Sequence, residues 1–425
     1  MTEQAKVPEI RFAGFTDPWE QRKLGDVASS FDYGLNAAAT EYDGQNKYLR
    51  ITDIDDETHE FSKSDLMTPL ADLAMSADYL LKEGDLLFAR TGASVGKTYL
   101  YRQFDGMVYF AGFLIRARIG EGADPEFAYQ ATLTDAYKKY VAITSQRSGQ
   151  PGVNAQEYAD YQLMLPSKTE QQQIGMTLRS LDDLITLHQR KYDKLVVFKK
   201  SMLEKMFPKD GESVPEIRFA GFTDPWEQRK FGDCFEFLKS NTLSRAGLNG
   251  ENGTARNVHY GDILIKFGDC LDGERSDLPF ITDDTVLPKY AGSILREGDV
   301  IFADTAEDET AGKCVELRKL PKEPTISGLH TIPARPRFPF GTGYLGHYLN
   351  SDAYHRQLLP LMQGIKVISV SKAALQDTQV RFPGLSEQSA IGAALNEIDS
   401  LITLHQRKLE LLQNIKKSLL DKMFV

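Results

Sequence analysis

Residues 90–98, RTGASVGKT, contain the residue types of a phosphate-binding loop: two Gly, short hydroxyl side chains and a Lys. A nucleotide-binding P-loop needs four residues between its first Gly and its Gly-Lys pair, and this stretch has three. The spacing therefore excludes nucleotide binding. Two interpretations remain: a loop that contacts phosphate groups through Thr91, Ser94 and Lys97, or a plain hairpin turn between two strands.

The other residues that could take part in catalysis or bind a metal lie too far apart to predict such a site. Neither His188 nor His405 has a cluster of Cys, Asp or His around it at ligand spacing, which favours packing between helices. Cys234, Cys270 and Cys314 are widely spaced, as is typical of reduced thiols. The sequence has no methyltransferase, dinucleotide-binding, Walker or Gly-x-Ser-x-Gly motif, so we expect a non-catalytic chain without a metal.

Composition sets broad limits on partners and compartment. The formal net charge is −10, which argues against a nucleic-acid partner for the chain as a whole. Phosphate contacts depend on a local basic patch, however, so this argument is weak for a multidomain chain. No apolar run reaches the length of a membrane span and no apolar signal segment is present, so we expect a cytoplasmic protein.

The elements that must position these residues come in two copies. Residues 7–23, VPEIRFAGFTDPWEQRK, return at 214–230, and LITLHQRK at 184–191 returns at 401–408. Between these equal segments only a skeleton matches, so a constant framework carries two divergent inserts. We therefore divide each copy into an opening segment, an insert and a helix. The predicted boundaries are 1–26, 27–165 and 166–208 for the first copy, and 209–233, 234–382 and 383–425 for the second.

Both helical stretches have apolar residues at alternating steps of four and three, the spacing of a coiled-coil seam. Each helix has roughly 35 residues and would span about 50 Å. We predict helices over 170–207 and from 387 to the C-terminus, packed on each other. The predicted seam positions are Ile174, Leu178, Leu181, Ile185 and His188 in the first helix, and Ile391, Leu395, Ile398, Ile402 and His405 in the second.

The inserts favour a mixture of strands and helices. Aromatic and β-branched runs predict strands at 47–54, 85–90, 97–102 and 107–119 in the first insert, and at 257–267, 299–303, 313–319 and 325–332 in the second. One helix is predicted in each insert, at 125–142 and at 343–362.

Four sequence features combine in one pattern. They are the repeated long helix, its lead-in at Pro166 (PSKTEQ) and Pro383 (PGLSEQ), the strands EGDLLFART at 83–91 and EGDVIFADT at 297–305, and the divergent inserts. This combination resembles the specificity subunits of type I restriction-modification systems, the HsdS family. The resemblance covers essentially the whole chain, twice over.

The resemblance implies an α+β fold with two pseudo-two-fold-related α/β target-recognition domains, separated by two long antiparallel coiled-coil helices. Each domain would recognise one half of a bipartite site in double-stranded DNA, and the helices would set the spacer between the halves. Implied partners are two methyltransferase subunits, which dock on the helices, and two restriction subunits that act as motor and nuclease. No cofactor is implied in this chain; S-adenosylmethionine, ATP and Mg would belong to the partner subunits.

Under this resemblance the polar loops become candidates for DNA binding. Arg90 has Asp304 at the matching place of the second copy, and Arg favours guanine whereas Asp favours the cytosine amino group. A polar loop before each helix, at 146–154 and 363–369, either contacts bases or is a solvated connector. The candidate DNA-binding residues are Arg90, Thr91, Ser94, Lys97, Arg147, Gln150 and Asn154 in the first copy, and Lys313, Lys366 and Ser369 in the second.

Two other functions compete with DNA recognition. One is a coiled-coil protein scaffold without its own DNA readout, which divergent inserts on an equal framework disfavour. DNA binding that depends on sequence and salt would exclude it. The other is a self-sufficient nuclease or methyltransferase, which would cleave or methylate DNA when purified alone.

Overall fold

The computed structural model of the chain describes residues 7–147, 149–274 and 278–425, and for residue 284 the backbone alone. The first six residues of the predicted opening segment, and Ser148 in the second polar loop, therefore lie outside the described residues. The chain forms two compact units. Unit 1 comprises Met1–Arg190 with Arg407–Val425, and unit 2 comprises Lys191–Gln406. Each long helix is thus divided between the units, and the six-segment division of the sequence stays a prediction.

Unit 1 is built from short strands around one four-stranded sheet. Its strands are β1 (Glu20–Lys23), β2 (Ala28–Tyr33), β3 (Ala39–Glu41), β4 (Lys47–Leu49), β5 (Met67–Pro69), β6 (Asp85–Ala89), β7 (Thr98–Leu100), β8 (Val108–Phe110), β9 (Leu114–Ile119) and β10 (Gln162–Leu165). Its α-helices are α1 (Leu24–Val27), α2 (Pro125–Ala131), α3 (Asp135–Thr144), α4 (Ala155–Ala159) and the first part of α5 (Lys168–Lys205). Its 3-10 turns are Ile51–Asp53, Ala77–Tyr79, Gly92–Ser94 and Gln103–Asp105.

Unit 2 follows the same plan with a larger insert. Its strands are β11 (Glu227–Lys230), β12 (Phe235–Phe237), β13 (Leu248–Asn249), β14 (Arg256–Val258), β15 (Cys270–Leu271), β16 (Phe280–Ile281), β17 (Val300–Ala303), β18 (Thr305–Ala306), β19 (Cys314–Leu317), β20 (Thr325–Ser327), β21 (Thr331–Pro336), β22 (Ile368–Ser369) and β23 (Gln379–Phe382). Its α-helices are the last part of α5, α6 (Phe231–Cys234), α7 (Tyr260–Ile265), α8 (Tyr344–Asn350), α9 (Asp352–His355), α10 (Lys372–Asp377) and the first part of α11 (Leu385–Met423). Its 3-10 segments are Arg245–Gly247, Asp284–Ser293 and Leu359–Leu361.

The central sheets of the two units share four strands in the same order, and unit 2 adds β15 as a fifth. The order is β2-β9-β6-β7 in unit 1 and β12-β21-β17-β19-β15 in unit 2, and β6 and β17 are fully buried antiparallel partners of β9 and β21. The remaining strands form the pairs β1-β10, β3-β5 and β4-β8 in unit 1; in unit 2 they form the pairs β11-β23 and β18-β22 and the four-stranded sheet β13-β16-β14-β20. The fold is therefore of the predicted α+β class.

The Glu-Gly-Asp motif before each central strand is structural. Gly84 and Gly298 have φ of 85° and 84°, a left-handed turn that glycine adopts without strain. The buried Asp85 accepts a hydrogen bond from Arg118, and the buried Asp299 accepts two from Arg335. The turn and ion pair fix where β6 and β17 begin, and so where the loops that follow them are presented.

The core of each unit contains the C-terminal end of the long helix that belongs to the other copy of the sequence. Leu420 and Met423 of α11 lie in the core of unit 1, and Phe424 stacks on Phe127 with ring centres 5.0 Å apart. In unit 2 the corresponding Met206 and Phe207 lie in the core. The C-terminal part of each long helix thus packs beside the N-terminal half of the other, as antiparallel helices do.

The predicted seam positions lie along the inner face of these helices. In unit 1, Ile174 and Leu178 are buried in the core of the insert, and Leu181 packs against it. Ile391 and Leu395 are buried and Ile398 packs in the same way in unit 2. The remaining positions, Ile185, His188, Ile402 and His405, are half-buried. The N-terminal part of each seam therefore contacts the insert, and a role of the seam in partner binding stays a prediction.

The structure corrects several predicted elements. The strand predicted at 257–267 ends at Val258, because His259 accepts a hydrogen bond from the backbone N–H of Gly261 and caps α7. The helices predicted at 125–142 and 343–362 are each interrupted, since Thr134 and Ser351 start a second helix. The strand predicted at 107–119 is split into β8 and β9. Among the described residues, no helix combines the length and the apolar character needed to cross a membrane.

Candidate nucleic-acid interface

In unit 1 the two polar loops predicted from sequence lie side by side. Thr91 and Gly152 form an antiparallel bridge. The backbone N–H of Gly92 donates to the carbonyl of Pro151 at 2.9 Å, and that of Val153 donates to the carbonyl of Arg90 at 2.9 Å. Residues separated by about sixty positions in sequence therefore form one surface.

Unit 2 brings the matching loops together in the same way. β18 pairs antiparallel with β22, which places Thr305 opposite Ser369. The backbone N–H of Val370 donates to the carbonyl of Asp304 at 2.8 Å. The segment before Ser369 folds back, so that Gln363 and Ser369 form two backbone hydrogen bonds and Lys366 is exposed between them.

Arg90 is held at this surface by an aromatic ring. Its guanidinium carbon lies 5.0 Å from the centre of the Tyr33 ring, a cation–π arrangement. Within the described part of the chain, the guanidinium takes part in no hydrogen bond or ion pair in the structure. The backbone N–H of Arg90 donates to the carbonyl of Phe113, whose side chain is 57% exposed. The five donors of Arg90 are therefore available beside an exposed aromatic ring.

Asp304 occupies the matching position in unit 2 with a different chemistry. Its Oδ1 accepts a hydrogen bond from the Thr305 hydroxyl at 2.7 Å and lies 3.3 Å from Nδ1 of His330. The backbone N–H of Asp304 donates to the carbonyl of His330, just as Arg90 does to Phe113. His330 has a φ of 53°, which is uncommon for a residue with a side chain. The two units thus present a cation and an anion at one structural position.

The aromatic residues of this surface were not among the predicted site residues. Tyr33, Phe113 and His330 come from segments with no motif, and only the fold brings them beside Arg90 or Asp304. The Gly-aromatic pair at Gly112-Phe113, at a break between two strands, was the one available signal for an exposed ring.

The two predicted phosphate anchors already have partners inside the protein. Lys97 forms an ion pair with Asp56, and its Nζ lies 3.5 Å from the carbonyl oxygen of Ile54. The ammonium of Lys313 donates to the carbonyls of Leu264 and Phe267, each at 3.0 Å. Burial lowers the pKa of Lys313. A phosphate contact by either Lys would replace these bonds, and that role stays a prediction.

The remaining candidates of unit 1 shape the second loop. Arg147 donates to the carbonyl of Thr144 at 2.7 Å and to Glu157 at 2.5 Å, and remains exposed. Asn154 caps α4, because its Oδ1 accepts from the backbone N–H of Glu157 at 2.9 Å. Its counterpart in unit 2 is Ser371, which caps α10. In each unit this loop therefore leads to the N-cap of a short helix. The correspondence between Asn154 and Ser371 was not visible in the sequence, because the two copies diverge here.

Ser94 and Gln150 complete the surface of unit 1. Ser94 is half-buried in the 3-10 turn Gly92–Ser94, and Gln150 is exposed. A Cβ atom added at Gly92 would lie 2.7 Å from Nε2 of Gln150, and Gly92 has a φ of 71°. The left-handed φ favours glycine at this position, where the end of the exposed Gln150 side chain lies against the first loop.

A Glu-Gln pair anchors each insert to its long helix. Glu170 accepts two hydrogen bonds from Arg11, and Glu387 accepts two from Arg218. The Gln that follows donates to the preceding Pro carbonyl and accepts a backbone N–H of the insert in both units. These contacts explain why Pro, Glu and Gln recur at matching places in the two lead-in sequences.

One cluster has the residue types of a metal site. Single ligand atoms of Asp269, His347 and Asp399 lie within 4.8 Å of one another. The ammonium of Lys199 lies 2.7 Å from Asp269 and 2.6 Å from Asp399, so a protein cation already balances these carboxylates. We therefore interpret the cluster as a charge-paired network.

Comparison with known proteins identifies the first half of the chain. Residues 16–196 match the family model of the type I restriction modification DNA specificity domain. The chain is 23% identical over 418 residues to the type I restriction enzyme MjaVIII specificity subunit of Methanocaldococcus jannaschii, covering 95% of this chain and 92% of that protein. The match is nearly full-length on both sides.

The fold has a solved counterpart. The crystal structure of the type I restriction-modification system S subunit from M. genitalium superposes with a TM-score of 0.62 at 13% sequence identity, covering 99% of both chains. This likeness extends the α+β fold over both units. The domain match and the full-length relative support the HsdS family of type I restriction-modification specificity subunits, which the repeated framework of the chain predicts.

Proposed function

We propose that each unit recognises one half of a bipartite DNA site, through the paired loops that follow β6 and β17. Arg90 and Asp304 carry this proposal, since one framework presents opposite charges at the same position. A guanidinium pairs bidentately with guanine, whereas a carboxylate accepts from the cytosine amino group. The two units would then prefer different base pairs at one matched place in their half-sites.

The chain itself is the non-catalytic DNA-specificity subunit of a type I restriction-modification complex, and it acts with DNA and other subunits. We propose two methyltransferase subunits docked on the long helices and two restriction subunits in the full complex, acting in the cytoplasm. S-adenosylmethionine, ATP and Mg would be bound by those subunits. The helices would set the spacer between the half-sites.

Exchange of the inserts tests this function. The chain would be expressed with its methyltransferase subunits, and methylated adenines would be mapped in the cellular DNA. Replacing residues 27–165 with the insert of another family member should change one half of the methylated site and preserve the other. Replacing 234–382 is the matched experiment and should change the opposite half. A change of both halves, or of neither, in either exchange would contradict the proposal.

A further inference from the structure

Each unit has a polar bridge between its two long-helix segments. In unit 2, Lys199 of α5 lies 2.6 Å from Asp399 of α11. In unit 1, Lys416 of α11 lies 2.5 Å from Asp182 of α5. The two Lys side chains are each 17% exposed, so the bridges are shielded from solvent.

Both bridges also bind the insert. In unit 1, Nε2 of Gln130 in α2 donates to Oδ2 of Asp182 at 2.8 Å. In unit 2, Lys199 also pairs with Asp269 of the insert, which lies 2.9 Å from Nδ1 of the fully buried His347 in α8. The other nitrogen of His347 lies 3.2 Å from Oδ1 of Asn396 in α11. Each bridge therefore fixes three elements: two helices and the recognition insert.

The Lys, the Asp and the insert residue of the bridge stand at matching positions in the two copies of the sequence. Lys199 and Lys416 occupy matching positions of the two copies, as do Asp182 and Asp399, and Gln130 and His347. The Lys of one copy meets the Asp of the other in each unit. A shift of either helix by one turn, about 5.4 Å, would break the bridge.

Such a bridge specifies geometry more than it adds stability. Removing two charges from water costs several kcal/mol per ion, which the ion pair offsets only when its geometry is good. Around Lys199, burial opposes the charged form, but Asp269 and Asp399 outweigh burial and raise the pKa of the ammonium. An apolar pair could stabilise the helices equally well but would tolerate sliding.

We propose that Lys199 and Lys416 are positioning residues that set the spacer length accepted between the two half-sites, by fixing each insert on its helix pair. This inference rests on the proposed recognition of a bipartite site. It assigns the selection of spacer length to two named bridges, in addition to the length of the helices.

The test uses the complex of the full chain with its methyltransferase subunits. Binding is measured on duplexes with constant half-sites and a spacer changed one base pair at a time. We expect the wild-type complex to prefer one spacer. Lys199→Met and Lys416→Met should each reduce discrimination against spacers one base pair longer or shorter by about tenfold, with the half-site sequences unchanged. The exposed neighbours provide matched controls, and Lys200→Met and Lys417→Met should keep the wild-type preference.

Charge exchange separates positioning from a loss of folding. The double variant Asp182→Lys/Lys416→Asp keeps an opposite-charge pair and should regain the spacer discrimination that each single change loses. Unchanged discrimination in Lys199→Met and Lys416→Met, or equal weakening at every spacer without recovery in the double variant, would overturn the inference alone. A wild-type complex without any half-site preference would instead overturn the proposed function on which it rests.

Discussion

Arg11 and Glu170 form a bidentate ion pair that joins the opening segment of the chain to the start of α5. Nε of Arg11 lies 2.7 Å from Oε1, and its second terminal nitrogen lies 2.8 Å from Oε2. Glu170 is fully buried in the first turn of the helix, where the helix dipole also favours a carboxylate. Arg218 and Glu387 form the same pair in unit 2 at 2.7 Å for both bonds.

Arg11→Met should destabilise unit 1 selectively. The change leaves the Glu170 carboxylate buried without its cation, at a cost of about 3 kcal/mol. Amide hydrogen exchange, followed separately in the two units, should show faster exchange in unit 1, and Arg218→Met should affect unit 2 instead. The control is Arg22→Met, because the Arg22–Glu20 pair is exposed and contributes little. Equal loss of protection in both units from Arg11→Met would contradict this assignment.

Acid should weaken unit 2 through Asp269. Burial opposes ionisation of this carboxyl, but the hydrogen bond with His347 and the charge of Lys199 hold its pKa at about 2, below its usual 3.8. A carboxyl with a lowered folded-state pKa stabilises the fold above its unfolded pKa, and this stabilisation is lost as pH falls through the folded pKa. We expect a loss of about 2 kcal/mol between pH values of about 4 and 2. The free energy of unfolding of Asp269→Asn should lack this decline; identical acid slopes for the variant and the wild type would refute the prediction.

Arg90→Ala should relax recognition at one base pair. The guanidinium beside Tyr33 is the candidate guanine reader of unit 1, and a good bidentate contact discriminates by about 1–3 kcal/mol. Binding of the complex to duplexes varied at each position should show the loss in a single half-site. Asp304→Ala should act in the other half-site, and the exposed Lys138→Ala is the control. A uniform loss at all positions would point to a phosphate contact instead.

Arg147→Ala should weaken binding of only one half-site. Arg147 stays exposed while Glu157 and the Thr144 carbonyl hold its guanidinium at the edge of the second loop. We expect a smaller effect than at Arg90, because part of its hydrogen-bonding capacity is already used. The measurement is the affinity of the complex for duplexes in which one half-site at a time is scrambled. Equal losses for both half-sites would be inconsistent with a contact confined to unit 1.

Deleting residues 419–425 should open the core of unit 1. The deletion removes Leu420 and Met423 from that core and Phe424 from its stack on Phe127, a loss of at least about 3 kcal/mol. Amide exchange should rise in unit 1 and stay unchanged in unit 2. The matched control carries Leu419→Met and Asp421→Glu, which gives 416–424 the sequence of 199–207 and should preserve stability. If the deletion variant lost protection of its amides from exchange only in unit 2, the assignment of the helix ends to the two units would be wrong.

The repeated framework could be predicted from sequence because the same residue types recur at matching positions of both copies. The spacing of apolar residues, at steps of four and three, predicted where both long helices begin and end to within a few residues of α5 and α11. The fully buried strands β6 and β17 were predicted from their aromatic and β-branched residues. The resemblance to type I restriction-modification specificity subunits, the α+β class and the role as a non-catalytic specificity subunit are confirmed.

The interface could be predicted only in part. Its two loops were found from their polar residues, but their pairing depends on long-range contacts such as the bridge between Thr91 and Gly152. Apolar periodicity could not show in which unit the C-terminal end of each long helix packs. The two ends, KKSMLEKMF at 199–207 and KKSLLDKMF at 416–424, are nearly equal in sequence. Capping by His259 also overrode the apolar run that predicted a longer strand.

The exchange of helix ends also affects how the protein is made. Translation as far as residue 406 supplies every residue of unit 2, but unit 1 needs residues 407–425 as well. The backbone N–H of Ile10 donates to the carbonyl of Lys422, so a segment that is made early must wait for one that is made much later. A chain that stops just before residue 407 would therefore contain every residue of unit 2 but an unfinished unit 1.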